Sequence, residues 1–251
     1  MMRFYYDVHV HSCLSPCGDD DMTPNNVAGM GTVNGLQIMA LTDHNTCGNC
    51  PAFMAACKRL GIVGIPGMEL TTAEDVHLVC LFETLEQAMA FDADVGKSRI
   101  RIPNKPDIFG HQLRLDENDA LIGTEEDLLP NATALSLEEG TVLCRSHGGV
   151  AYPAHIDREA NGVIAVLGDL PPEPDFPCVE FRDPSLAEEY RNRYSLGEKR
   201  IVFGSDAHYL WDIAEPTHAI DLDIDDRSYS SNKVRALFLQ QLRGNGKWTD
   251  A

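Results

Sequence analysis

Short runs of β-forming residues alternate with helix-type segments along most of this chain, and most of those runs end in an ionisable residue. The alternation confines the fold to the α/β class with a largely parallel sheet or barrel, because a strand can return parallel only through a crossover, usually a helix. Strands are expected over residues 4–10, 36–41, 62–67, 77–82, 150–154, 178–181, 201–204 and 219–222. Between them, Thr23-Pro24 opens a helix that ends near Asn34-Gly35, and residues 49–60 form a second helix stopped by Gly61. A third spans 85–93, and the capping box of Ser136 and Glu139 opens a fourth that ends at Gly148-Gly149. Residues 231–242 form the last. The polar, proline-punctuated stretch 95–131 breaks this rhythm and reads as an insertion, a hairpin or short helix folded as a flap over one end of a single domain spanning 1–251.

The strand ends carry Asp7-Val8-His9-Val10-His11, Thr42-Asp43-His44, Gly67-Met68-Glu69, Val76-His77-Leu78, Ala154-His155-Ile156 and Ser205-Asp206-Ala207-His208, which together hold six of the nine histidines. Side chains two apart on a strand point the same way, so His9 with His11, and Asp206 with His208, are ready-made partial chelates. In a parallel α/β barrel the carboxyl ends of the strands share one rim, where these groups converge. Imidazoles and carboxylates gathered there are what a catalytic metal cluster requires. His77 is the misfit, since it opens its strand instead of ending it.

With 39 acidic and 20 basic residues and a formal charge of -19, the chain offers no extended basic surface, which argues against duplex nucleic acid as a partner. No export signal and no apolar run of membrane-spanning length is visible, so a cytoplasmic location and no membrane contact are expected. The eight cysteines are scattered and suit reduced thiols. Cys13, Cys17, Cys47 and Cys50 follow the first histidine motifs and could together hold a zinc or an iron–sulfur cluster, but small loop residues are the preferred reading. The sequence leaves the oligomeric state open.

Taken in order and spacing, these motifs resemble the polymerase and histidinol phosphatase (PHP) superfamily, with the match running from residue 4 to about 210. The resemblance implies a distorted (β/α)7 TIM-like barrel with two or three divalent metal ions, Zn, Mn or Fe, and phosphoester hydrolysis. It places His9, His11, Glu69 and Asp206 on a first metal, Glu69, His77 and His155 on a second, and His44 and His208 on a third, with Asp19 or Asp20 supplying a further ligand. Arg158, three residues past His155, is expected to clamp a substrate phosphate, and Asp7 and Asp43 to accept hydrogen bonds from ligand imidazoles. A phosphate ester repels hydroxide, so closely spaced cations that neutralise its oxygens and acidify a bridging water answer the chemical need. Glu69, Asp206, His208 and Arg158 are the expected catalytic set, acting on a small phosphorylated substrate, a phosphomonoester or nucleotide. The alternatives are a non-hydrolytic metal-binding or redox-sensing module, and a metal hydrolase of C–N or C–O bonds.

Overall fold

The structure, a computed structural model, describes residues 1–225 and 229–244. Its strands are β1 (Met2–Asp7), β2 (Ile38–Leu41), β3 (Val63–Thr71), β4 (His77–Leu81), β5 (Leu113–Leu115), β6 (Leu121–Thr124), β7 (Val150–Pro153), β8 (Cys178–Phe181), β9 (Arg200–Phe203) and β10 (Ala219–Leu222). The helices are α1 (Pro24–Val33), α2 (Cys50–Leu60), α3 (Leu85–Val95), α4 (Pro106–Phe109), α5 (Leu137–Ser146), α6 (Val163–Leu167), α7 (Ala187–Arg193) and α8 (Ser231–Leu242). The helix signals act as expected: Thr23 Oγ1 accepts from Asn26 N, Ser136 and Glu139 cap each other, and Gly61 ends α2 in the left-handed region at φ 77°. The short α6 and α7 were not expected, being too brief to show a helical period.

A six-stranded sheet runs in the order β10-β1-β2-β3-β4-β7, while β8 and β9 form a separate parallel pair. Backbone bonds at one rim join that pair to the sheet on both sides. Ile156 N donates to Glu180 O, and Asp206 N donates to His9 O. The fold is therefore a mixed α/β one built on a curled sheet, not an unbroken series of parallel β/α repeats. β4 departs from that series, since it follows β3 through a tight turn with no helix and runs antiparallel to both β3 and β7. This reversal resolves His77: an antiparallel strand begins at the rim where its neighbours end, and the register pairs His77 with Thr71. β1 is also shorter than expected. Past Asp7 the chain leaves β10 and pairs with the continuation of β9 through Val10 and Ala207.

Strand alternation divides the core. Inward-facing Phe4, Tyr6, Ile38, Ile65, Val79, Tyr152 and Val202 pack together and are closed from below by Val234, Phe238 and Leu242 of α8. Outward-facing Met39, Leu41, Met68 and Cys80 pack under the surrounding helices. Among the described residues, no helix is long and apolar enough to cross a membrane.

The insertion is fastened to the rim. Leu113 N donates to Cys13 O, Asn49 Oδ1 accepts from Leu115 N, Asn45 Nδ2 donates to Leu129 O, and Thr133 N donates to Thr71 O. Its arginines are paired with its own acids, Arg99 and Arg114 with Glu125 and Arg101 with Asp127.

Candidate metal centre

Glu69 stands at the middle of the rim because it lies on the inward face of β3, two and four residues beyond Gly67 and Ile65. The side chain is fully buried, and five imidazoles surround it. Oε1 lies 2.8 Å from His77 Nδ1, 3.0 Å from His155 Nε2 and 3.2 Å from His9 Nε2. Oε2 lies 3.0 Å from His44 Nδ1 and 3.3 Å from His11 Nε2. Asp206 Oδ1 sits 3.3 Å from His11 Nε2 and 3.5 Å from His9 Nε2. Two of these residues, His155 at φ 25° and Asp206 at φ 53°, occupy the left-handed region, which non-glycine residues enter only when the surroundings hold them there.

The outer hydrogen bonds decide which nitrogen of each ring faces inward. His9 Nδ1 donates to the buried carboxylate of Glu180 at 2.7 Å. Ser15 Oγ spends its proton on Asp43 Oδ1, so it accepts from His11 Nδ1 at 2.9 Å. His208 Nδ1 donates to the Asp206 carbonyl at 2.8 Å. In the neutral ring each of these bonds leaves Nε2 unprotonated. With both rings neutral, His9 Nε2 and His11 Nε2 would face each other at 3.2 Å with carboxylate oxygens close by, an assembly of acceptors without donors. Glu69 Oε2, Asp206 Oδ1 and His44 Nδ1 are buried with no aligned hydrogen bond among the described residues, although His44 and Glu69 nearly touch. Buried acceptors crowded this way call for positive charge between them. A divalent cation fits that donor set, and three groups have the spacing to hold one: His9, His11, Glu69 and Asp206; His44, Glu69 and His77; His11, His44 and His208.

When no cation is bound, protons on some of the imidazoles meet part of that need for charge. Burial works to raise the Glu69 carboxyl, but His77, His9 and His44 outweigh it and hold it well below the usual carboxylate range. Burial opposes charge on His11 too, yet Asp206 and Glu69 lift it to about 9. His44 reaches about 9 against burial through Cys17, whose thiol is within hydrogen-bonding reach, and Glu69. His77 and His208 go the other way. Burial lowers them to about 4 and about 3, and neighbouring imidazoles add to the effect.

Other expected residues fall elsewhere. Asp19 uses Oδ1 to accept from Asp21 N, while its backbone N–H bonds the His208 carbonyl, so it frames the third group without joining it. Asp20 pairs with His111 of the insertion at 2.8 Å. Arg158 Nη1 bonds Asp206 Oδ2 at 2.6 Å, with 36% of its side chain exposed at the mouth. Among the described residues, no imidazole hydrogen-bonds Asp7 or Asp43. Asp7 accepts from Ser205 and Ala214, and Asp43 from Ser12 and Ser15, because each carboxylate faces a loop whose N–H and O–H groups reach it first. Cys47 and Cys50 both direct their thiols at Gly67 O, and no group with metal spacing among the described residues contains a cysteine.

Sequence reasoning missed Glu180, which binds both His9 and the His155 backbone N–H. Its signal was an acid at an inward position of the apolar run Cys178-Val179-Glu180-Phe181. Gly204 leaves it room, since a Cβ there would stand 2.6 Å from Glu180 Oε2 and 2.6 Å from His9 Cβ.

Comparison with known proteins bears on this site. The family model described as "PHP domain" matches residues 7–141, more than half of the chain. A 5'-3' exoribonuclease of Haemophilus influenzae is 32% identical over 79 residues, which cover 30% of this chain and 28% of that protein. Among solved structures, the lesion-specific endonuclease PfuEndoQ of Pyrococcus furiosus superposes with a TM-score of 0.63 at 16% identity, covering 99% of this chain and 58% of that one. A further Endonuclease Q structure, in complex with a 27-mer duplex with an abasic lesion at the active site, superposes at 0.59 with 16% identity, over 98% of this chain and 58% of that one. The chain thus spans well under two thirds of each of these proteins. The duplex complex corrects the expectation drawn from net charge, for a chain of this fold does accept duplex nucleic acid. Net charge sums the whole surface and does not fix the field at any one part of it.

Proposed function

This chain belongs to the PHP domain family, and from that membership and the rim geometry we propose that it is a metal-dependent phosphoesterase acting on a small phosphomonoester or nucleotide. The observation that carries the reading is the ring of five imidazoles around the buried Glu69 carboxylate, in groups whose ligand atoms have the spacing to hold a cation. In this reading His9, His11, Glu69 and Asp206 hold a first cation, Glu69 with His77, His155 and His44 a second, and His11, His44 and His208 a third, in a distorted (β/α)7 barrel. Zn, Mn and Fe all suit these ligands. When bound, such cations neutralise phosphoryl oxygens and acidify water.

The chain's own groups do the rest. Glu180, Ser15 and the Asp206 carbonyl keep protons on Nδ1 of His9, His11 and His208, so that Nε2 of each stays free to ligate. Arg158 lies at the mouth, where its fork can turn from Asp206 to two phosphoryl oxygens. The buried walls around Glu69 exclude bulk water and strengthen every charge interaction inside.

A second reading, cleavage of phosphodiesters in nucleic acid, is favoured by the similarity to an exoribonuclease and to an endonuclease. One assay tests both: turnover of p-nitrophenyl phosphate and of its bis-ester with Mn, Zn or Fe supplied, against a His9→Ala control. Preference for the monoester supports the first reading and preference for the bis-ester the second. Negligible rates under every metal, equal to the control, would leave a metal-binding module.

A further inference from the structure

His208 is followed at once by an exposed aromatic pair. Tyr209 is 39% and Trp211 is 76% exposed, and their rings stack with centroids 5.0 Å apart and planes 15° from parallel. The pair is not a loose surface feature. Between and beyond the two rings, Leu210 packs against the core and Ile213 is buried, and Asp212 N donates to Tyr209 O in a single helical turn. The segment is also pinned at its start, where His208 O accepts from Asp19 N, and past its end, where Asn34 Nδ2 donates to Ile213 O and Ala214 O. Apolar anchors therefore turn inward while two flat faces are held out in solvent.

Their position is the second observation. Trp211 lies three residues past His208, so its backbone is at most about 10 Å from that of a residue in the third metal-spaced group. Arg158, bonded to Asp206, marks the phosphate end of the same short stretch. An arginine beside the metal-spaced groups with a rigid aromatic face a few residues along the chain can bind a nucleotide without reading its sequence, because every base has a flat face to stack.

We propose that Tyr209 and Trp211 form a stacking platform for a nucleobase, so that the phosphate processed at the rim belongs to a nucleotide, either free or at the end of a single strand. The base adds to the open face of Trp211 as a third ring, while the phosphate reaches the metal-spaced groups and Arg158. This assignment of substrate class rests on the phosphoesterase reading, but the binding it predicts is measurable separately.

The chain has two tryptophans, Trp211 and Trp248, so a Trp248→Phe background makes fluorescence report on Trp211. The Zn-loaded protein is titrated with AMP, with ribose 5-phosphate and with a tetra-adenylate, and affinities are measured in parallel by calorimetry. AMP is expected to quench Trp211 and ribose 5-phosphate to leave it unchanged. Trp211→Ala should reduce the preference for AMP over ribose 5-phosphate by roughly 5- to 100-fold, and Trp211→Phe should restore most of it. Tighter binding of the tetranucleotide than of AMP identifies a strand end, and equal binding identifies a free nucleotide; either outcome supports the platform. Equal affinity for AMP and ribose 5-phosphate with no quenching overturns it, even if both are hydrolysed. Quenching by AMP with no turnover of any ester overturns the phosphoesterase reading and leaves the platform standing.

Discussion

The interior of the curled sheet has two layers built on the same strands, and they are opposites. The lower layer, with Phe4, Ile38, Ile65, Val79, Tyr152 and the α8 side chains Val234 and Phe238, is apolar and close-packed. The upper layer holds His9, His11, Glu69, His77, His155, Glu180 and Asp206, all buried. Only the lower layer stabilises the fold by leaving water; the upper one gathers groups whose burial costs free energy until charge is supplied. A site of this kind depends on a core elsewhere that tolerates it.

The largest expected effect is catalytic. Glu69→Gln removes the charge shared by two of the metal-spaced groups, and ester hydrolysis should fall by on the order of 10³-fold, since a cation contributes several kcal/mol to the transition state. Steady-state kinetics with metal analysis checks this, and a loss below tenfold with metal content intact would remove Glu69 from the centre. Stability should respond in the other layer. Phe238→Ala, which opens a cavity beside Tyr6, should cost about 3–5 kcal/mol in denaturant unfolding of the metal-free protein. Well above pH 9, where His11 carries no charge, His11→Ala should leave the metal-free midpoint unchanged or raised, and a fall as steep as that of Phe238→Ala would erase the distinction between layers.

Smaller effects sharpen the comparison. Glu180→Gln keeps an acceptor for His9 Nδ1 but loses the negative charge that makes the imidazole a better ligand, so metal affinity should drop roughly 10- to 100-fold in chelator competition. Unchanged affinity would make Glu180 a packing residue only. The pH response follows from the imidazoles. His11 and His44 titrate near 9 in the metal-free fold against 6.5 for an ordinary histidine. Their contribution to metal-free stability is therefore complete below pH 6.5 and lost as pH rises through about 9. A cation displaces the same protons, so its affinity should climb between pH 6.5 and about 9 and then level off, as isothermal titration would show. Affinity that falls over this range would contradict the assignment.

Much of the site is legible in the chain because its residues occupy strand ends at short, ordered spacings. Asp206 and His208, or His9 and His11, announce themselves as pairs. Glu180 does not, since a single acid in an apolar strand looks the same whether it meets an imidazole or a loop. Asp7 and Asp43 show the converse: their place beside histidines suggested imidazole partners, yet serine hydroxyls and backbone N–H groups lay nearer. Cys13, Cys47, Cys50 and Cys80 each turn a thiol to a backbone carbonyl, which no spacing rule could foresee.

The sequence by itself determined the α/β class, the helix caps and the residues able to ligate, because local hydrogen bonding and strand periodicity depend on neighbours a few positions away. Tertiary structure decided the reversal of β4 that brings His77 to the rim, the fastening of the insertion, the nitrogen that each imidazole turns inward and the outward stacking of Tyr209 on Trp211. Those features come from partners tens to hundreds of residues distant, whose approach is set by how the sheet curls and what the core can pack.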